Sequence, residues 1–300
     1  MNDLLGTLAW VLLFYLPPAV LLLWLFWFKR DHEARARAPF TEQPLRVAGQ
    51  SARDRADQLV ESAFEDLLAL LIGCPLTGLA FALVPALRRP GSGVVALGVA
   101  AAAAFVVGYR VRRRLRESWN YRLGATGEQV VGRELDRLMA QGYQVFHDMP
   151  FEGWNIDHVV VGPRGVFAIE TKTWRKPPKA GDLKAEIVLD GDTLILPNGK
   201  SYSKAIQQAA RNARTLTEWI AEAAGEKVPA VPAVALPGWS LVLRRYGEVA
   251  VYSATNMSEH LPKRGKAALQ PEQIQRIAFH LTQRCQAGSG AVRSGGPGRG

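Results

Sequence analysis

Apolar positions are spread unevenly along this 300-residue chain: three long runs lie before Tyr109, and short alternating or helically spaced segments follow. Residues 4–28 are apolar apart from Thr7 and the Pro17-Pro18 break, long enough for a bilayer crossing of about 20 residues. Lys29 and Arg30 follow this run instead of preceding it, and no small-residue cleavage site stands out. The pattern therefore predicts a retained span and not a signal peptide. Residues 67–87 and 93–109 form the second and third runs, joined by Arg88-Arg89-Pro90-Gly91-Ser92. That short polar turn predicts a helical hairpin, with a buried core hairpin as the competing reading. The third run is the shortest and the richest in Ala. Together the runs predict an all-α membrane region of about three transmembrane helices.

After Tyr109 the periodicities change. Val130, Val131, Leu135 and Leu138 recur at helical spacing over 124–139, with Glu128 in the first turn, where the helix dipole favours an acid. Residues 143–149 read as a strand, and 155–172 as two β-branched strands joined by a Pro/Gly turn. Asp190-Gly191-Asp192 separates two further alternating segments, which predicts a hairpin. Ile206, Ala209, Ala213, Leu216 and Ile220 line one face of a helix over 204–224. Short strand-like pieces follow at 231–236, 240–243 and 249–253, and Pro271 with Glu272 opens a last helix. From Gly288 the Gly/Ser/Arg-rich tail predicts disorder. The fold class expected for this part is α+β, a mainly antiparallel sheet flanked by helices. The expected divisions are a first transmembrane helix (1–28), a charged linker or helix (29–66), a transmembrane hairpin (67–109), a basic juxtamembrane segment (110–123), a soluble domain (124–286) and a tail (287–300).

Charge gives the membrane region a direction. Lys29, Arg30, Arg35, Arg37, Arg46, Arg53 and Arg55 follow the first run, and Arg110, Arg112, Arg113, Arg114 and Arg116 follow the third, whereas the hairpin tip carries only Arg88 and Arg89. Placing the basic-rich flanks inside puts the N-terminus outside and the soluble domain in the cytosol, at the inner (cytoplasmic) membrane. The 110–116 cluster reads as a basic collar against anionic lipid. The formal net charge of +10 suits a polyanion or an anionic membrane face. Cys74 and Cys285 are the only cysteines and lie in different regions, which argues against a disulfide framework or a Cys-based zinc site.

Candidate chemistry concentrates between Asn155 and Lys172. A turn centred between Pro163 and Arg164 would set Gly162 opposite Gly165 and Asp157 opposite Glu170. Directly opposed Cβ atoms lie roughly 4.5–5.5 Å apart, and like charges there repel. Strand alternation places Glu170 and Lys172 on one face and Thr171 on the other. One face thus presents two carboxylates and an amine; carboxylates with backbone carbonyl oxygens are the ligand set for a hard cation such as Mg²⁺, and Lys172 would orient a bound water or stabilise developing negative charge. The competing reading is a structural ion pair of Lys172 with one of the acids, which leaves the other acid uncompensated. His158 points away from Asp157 and reads as a satisfied core histidine; His147 could approach from the neighbouring strand. Trp174 reads either as a base-stacking aromatic or as a core or rim residue. Arg175, Lys176, Lys179, Lys184, Lys200, Lys204, Arg211 and Arg214 surround the site in sequence and could track phosphates.

The string Ile156-Asp157-His158, Gly165-Val166-Phe167 and Ile169-Glu170-Thr171-Lys172, with Gly124 to Glu128 before it and a Gln-bearing helix after it, resembles the nuclease-related domain (NERD) family of the PD-(D/E)xK nuclease-like superfamily. The resemblance covers about 124–220 and implies a mixed sheet flanked by helices. It implies that Asp157 is a metal-binding acid, that Glu170 and Lys172 are the acid and lysine of an ExK motif, that Glu128 completes the metal site, and that Gln208 contacts the site or the phosphate backbone. Ile156 stands where the superfamily has Pro, and Thr173-Trp174-Arg175 where relatives carry an Asn and a nearby Gly. The expected activity is Mg²⁺-dependent (or Mn²⁺-dependent) phosphodiester hydrolysis on DNA or RNA by a protein tethered to the lipid bilayer. The alternatives are a non-catalytic nucleic-acid-binding module and a membrane-bound signalling or scaffold module.

Overall fold

The computed structural model describes residues 45–83, 92–176 and 186–294, with Val20, Trp24 and Trp27 singly. The chain divides into two compact units, one holding residues 55–120 of the described chain and the other holding 45–54 together with everything from Tyr121 onward.

The first unit is helical. It contains most of α1 (Gln50–Leu83) and the N-terminal part of α2 (Ser92–Asp136). Among the described residues, one helix is long and apolar enough to cross a membrane: its window begins in the third run, has a mean hydropathy of 2.0 and is fully unburied. Val94, Val95, Leu97, Val99, Phe105 and Val106 are all exposed there. The expectation of about three crossings is thus corrected to one candidate helix among the described residues. The run at 4–28 lies outside them apart from the three single residues. The run at 67–87 belongs to α1 as far as Leu83, and the rest of it lies outside the described residues. The basic collar is largely paired: Arg110 and Arg114 both reach Asp66, at 3.2 and 2.6 Å, and Arg113 pairs with Glu117 at 2.9 Å.

The second unit is the α+β domain. Its five-stranded sheet has the order β1-β2-β3-β7-β9, from β1 (Gln144–Phe151), β2 (Trp154–Gly162), β3 (Gly165–Thr171), β7 (Ala230–Leu236) and β9 (Ala250–Ser253). The first three strands pair antiparallel, but β3, β7 and β9 pair parallel. The sheet is therefore mixed, as the family resemblance implies, and not mainly antiparallel as the strand patterns alone suggest. A parallel pair needs a long crossover, and here that crossover includes α3 (Lys204–Ala224). A smaller sheet, in the order β6-β5-β4-β8, takes β4 (Glu186–Asp190), β5 (Thr193–Ile195), β6 (Ser201–Tyr202) and β8 (Ser240–Arg245). The Asp-Gly signal is realised as a turn, with Asp190 opposite Thr193 and Gly191 at φ 61°.

Burial follows the alternation. Val159, Val161, Val166 and Ala168 pack beneath Ala213, Leu216 and Ile220 of α3 and Ile274, Ile277 and Leu281 of α4 (Pro271–Ser294). On the other face, Val160, Phe167 and Ile169 meet Val131, Leu135 and Leu138. Two buried layers explain why β3 is apolar on both sides and buried throughout. α2 does not begin at Gly124; it runs unbroken from Ser92 to Asp136 and then tightens into a 3₁₀ turn at Arg137–Gln141. α4 continues through Ser294, past the Gly288 point where disorder was expected.

Candidate active site

The β2–β3 turn falls where the Pro163-Arg164 signal puts it. Gly162 pairs with Gly165, and the register runs down to His158 opposite Ile169. One step further sets Asp157 opposite Glu170. On the other side of β2, the pairs His147–His158 and Met149–Ile156 leave Asp148 opposite Asp157. Three acids therefore form a row across β1, β2 and β3. Asp148 was not singled out from the sequence, and it is the one described non-glycine residue with positive φ, at 51°. Such backbone strain is held only where the surroundings over-determine it.

Those surroundings are polar and buried. Asp148 accepts hydrogen bonds from the Ser51 N–H at 3.1 Å, the Ser51 hydroxyl at 2.7 Å, the Arg46 guanidinium at 3.1 Å and the Asn155 amide at 3.1 Å. Asp157 accepts a short hydrogen bond from the Thr171 N–H, 2.6 Å long. Glu170 accepts one from the Asn212 amide of α3 at 3.2 Å, and the Lys172 N–H is tied to the Ala235 carbonyl at 2.9 Å. Glu128 on α2 accepts a hydrogen bond from the Gly49 N–H and is in electrostatic contact with Asp157, Asp148 and Lys172.

The carboxyls carry the mark of this crowding. Burial, then Asp157, pushes Glu170 up to about 9 against the opposing pull of Lys172. Burial also raises Asp157 to about 7, opposed by the Thr171 N–H and Lys172. Glu128 rises to about 8 through burial and repulsion from Asp157 and Asp148. One lysine thus faces three acids that each resist ionising. Carboxyls perturbed by burial together with a specific charge partner concentrate at functional sites. Among the described residues, no three His, Cys, Asp or Glu side chains already converge as a finished ligand set. The acids form an electrostatic group, not a closed coordination shell.

Of the residues singled out from sequence, the structure brings Glu128, Asp157, Glu170 and Lys172 together. Gln208 is half-buried one turn before Asn212 on α3, and it is Asn212 that bonds Glu170. The i, i+4 spacing from Gln208 to Asn212 was the available signal for the latter. His158 is fully buried on the opposite face. It bonds His147 through facing Nδ1 atoms at 2.9 Å and the Thr171 hydroxyl at 3.1 Å, while His147 reaches Asp136 at 3.0 Å. His147 thus serves this network and not the acid row. Trp174 stands edge-on to Tyr202, with ring centroids 5.2 Å apart, in the core of the small sheet, so it is a packing residue. Lys179 and Lys184 lie outside the described residues.

Gly127 explains how α2 comes close enough for Glu128 to join. A Cβ there would strike the Thr173 side chain and lie 3.1 Å from Pro237. The Thr173 hydroxyl against it is buried without a hydrogen-bond partner.

Residues 123–237 match the family model of the nuclease-related domain. This stretch of the chain is thus similar to the nuclease-related domain, and the likeness supports a nuclease-like hydrolase. No curated protein and no solved structure matches the chain.

Proposed function

We propose that the chain is a membrane-anchored nuclease whose domain acts from the cytosol on nucleic acid, DNA in the first instance, with a divalent metal ion. The observation that carries this reading is the row of acids across three strands, joined by Glu128 and faced by Lys172. The donor set fits Mg²⁺ or Mn²⁺: it offers carboxylate oxygens, with no thiolate or imidazole, and hard cations take oxygen ligands. Four acids, Asp148, Asp157, Glu170 and Glu128, share two cations, Lys172 and Arg46, so the cluster is short of positive charge. Asp157, Glu170 and Glu128 would hold the ion. When bound, it would neutralise phosphate charge and make water more acidic.

The chain's own residues do the rest. The Thr171 N–H keeps the Asp157 carboxylate aimed along the strand pair, and the Asn212 amide keeps Glu170 from rotating into the apolar layer. Lys172 sets an ammonium beside the acids, where it stabilises the negative charge that develops on a phosphate oxygen. Anchoring is supported by the fully unburied apolar helix window beginning in the third run.

The test is nicking of supercoiled plasmid by the full-length protein in detergent, with and without Mg²⁺ or Mn²⁺. Wild type should nick only with metal, and Asp157→Asn and Lys172→Ala should each lose at least 100-fold. Undiminished nicking by either variant refutes the assignment. Salt-dependent binding without turnover in any metal would instead favour a binding module. Recovery of the protein in the carbonate-washed membrane fraction tests the anchor.

A further inference from the structure

The stretch that leads into α1 lies more than 70 residues before the matched domain, yet it belongs to the same compact unit. Its local conformation is set by two turns. The Gln50 N–H bonds the Val47 carbonyl at 3.1 Å, the Gln50 side chain accepts from the Val47 N–H at 3.2 Å, and Gly49 adopts φ 73°. A Cβ on Gly49 would lie 2.7 Å from the Cα and carbonyl oxygen of Ala125, so only glycine lets the backbone cross α2 this closely. One turn further along α2 is Glu128, which takes the Gly49 N–H. Another turn on, Gly132 makes room for Ala48, whose Cβ sits 2.9 Å from where a side chain at Gly132 would begin.

The same stretch grips the acid row from its other end. Asp148 accepts the Ser51 N–H, one of the donors that a helix leaves unpaired in its first turn, so a strand residue caps α1. Arg46 neutralises that carboxylate, and both side chains are nearly buried, at 8% and 4% exposure. Asn155, two residues before Asp157, bonds both the Ser51 hydroxyl and Asp148, at 2.6 and 3.1 Å. Apolar packing contributes little to holding the strap down: Leu45 and Val47 are 44% and 55% exposed, and a cavity of about 610 Å³ lies along it beside His147 and Cys285. Hydrogen bonds hold it.

Resting on the nuclease reading, we propose that residues 45–51 are part of the working site: Gly49 positions Glu128, and Ser51 with Arg46 positions Asp148 and the start of the Asn155–Asp157 strand. These are positioning residues, acting through the acids and not on substrate. Site competence then depends on the segment that opens α1, the helix that carries most of the second apolar run.

The full-length protein tests this with Gly49→Ala, Ser51→Ala and the conservative Ser51→Thr. Plasmid nicking is compared with hydrogen exchange of peptides covering 45–54 and 124–130. Misplacement of a site group by about 1 Å lowers turnover on the order of 100-fold. We expect Gly49→Ala and Ser51→Ala to lower kcat at least 10-fold with KM within about twofold, Ser51→Thr to keep most activity, and both damaging variants to deprotect 45–54 and 124–130 together. Wild-type nicking with unchanged kcat in Gly49→Ala and Ser51→Ala overturns the inference and leaves the nuclease reading standing. If wild type does not nick at all, the nuclease reading fails and exchange decides: deprotection of both peptides supports the positioning role, and deprotection of 45–54 alone overturns it. A variant that fails to melt cooperatively is replaced by Arg46→Lys, read by the same two measurements.

Discussion

Glu170→Gln should stabilise the metal-free protein at pH 8, because the native site asks this carboxyl to stay protonated. Glu170 is only 3% exposed, and burial with repulsion from Asp157 lifts it from 4.5 to about 9. The folded state therefore binds a proton that the unfolded chain has released between those two values. Stability falls wherever the folded state holds more protons than the unfolded one, so this group lowers stability as pH rises from about 4.5 to about 9 and adds no further loss above that. At about 1.36 kcal/mol per unit, the ceiling at pH 8 is about 5 kcal/mol. Protons are shared across the coupled acids and the variant keeps an oxygen for Asn212, so we expect on the order of 2 kcal/mol.

The assay is urea unfolding of the full-length protein in detergent with EDTA, followed by Trp fluorescence at pH 5 and pH 8. Glu170→Gln should raise the midpoint at pH 8 and leave it nearly unchanged at pH 5. Magnesium should reverse the order, since a ligand present at about 100 times its Kd stabilises by about 2.7 kcal/mol and the variant lacks one of the acids. A variant less stable than wild type at pH 8 in EDTA, or stabilised equally by magnesium, would refute the reasoning that this acid is held for a cation.

Three further outcomes are expected. Gly127→Ala drives a methyl into Thr173 and Pro237, and should destabilise by about 1–3 kcal/mol in urea melts while displacing Glu128 and lowering nicking. His158 is held well below 6.5 by burial and by His147, so the native ring stays neutral where the unfolded ring takes a proton; this ring's own contribution should be flat above pH 6.5 and destabilising below it, and in a Tm-against-pH series His158→Gln should lose less stability than wild type on acidification below pH 6.5. Leu216→Ala empties a fully buried position beneath the sheet and should cost about 2–5 kcal/mol with little change in metal-dependent KM.

Local chemistry made much of this domain legible. The helix at Lys204–Ala224 is marked by an apolar stripe and closed by Gly225 at φ 71°, so its bounds follow from residues near in sequence. The β2–β3 register was legible because a two-residue turn leaves one symmetric pairing, and shifting it by one would turn Val159 and Val161 away from α3. The parallel β3–β7 pairing was not legible. Its strands are separated by α3 and the small sheet, and short apolar strands carry no sign of direction. Ala-rich composition made 93–109 look the weakest of the three runs, yet it holds no charge and it is the candidate span among the described residues.

The acid row shows where such reading stops. Its β2–β3 half is a hairpin, so Asp157 and Glu170 announce themselves by spacing. Its other supports come from remote elements: Asn212 from α3, Glu128 from α2, and Gly49 with Ser51 from the strap. Asp148 is the clearest case. In sequence it is an acid in an ordinary alternating strand, where exposure would be the default. Its role arises because φ turns positive there and four donors close on its carboxylate, three of them from residues about a hundred positions upstream. Those donors fix the carboxylate beside Asp157 and Glu128. An anchored Asp148 raises the proton affinity of both, which in turn makes a cation the favourable way to discharge the site.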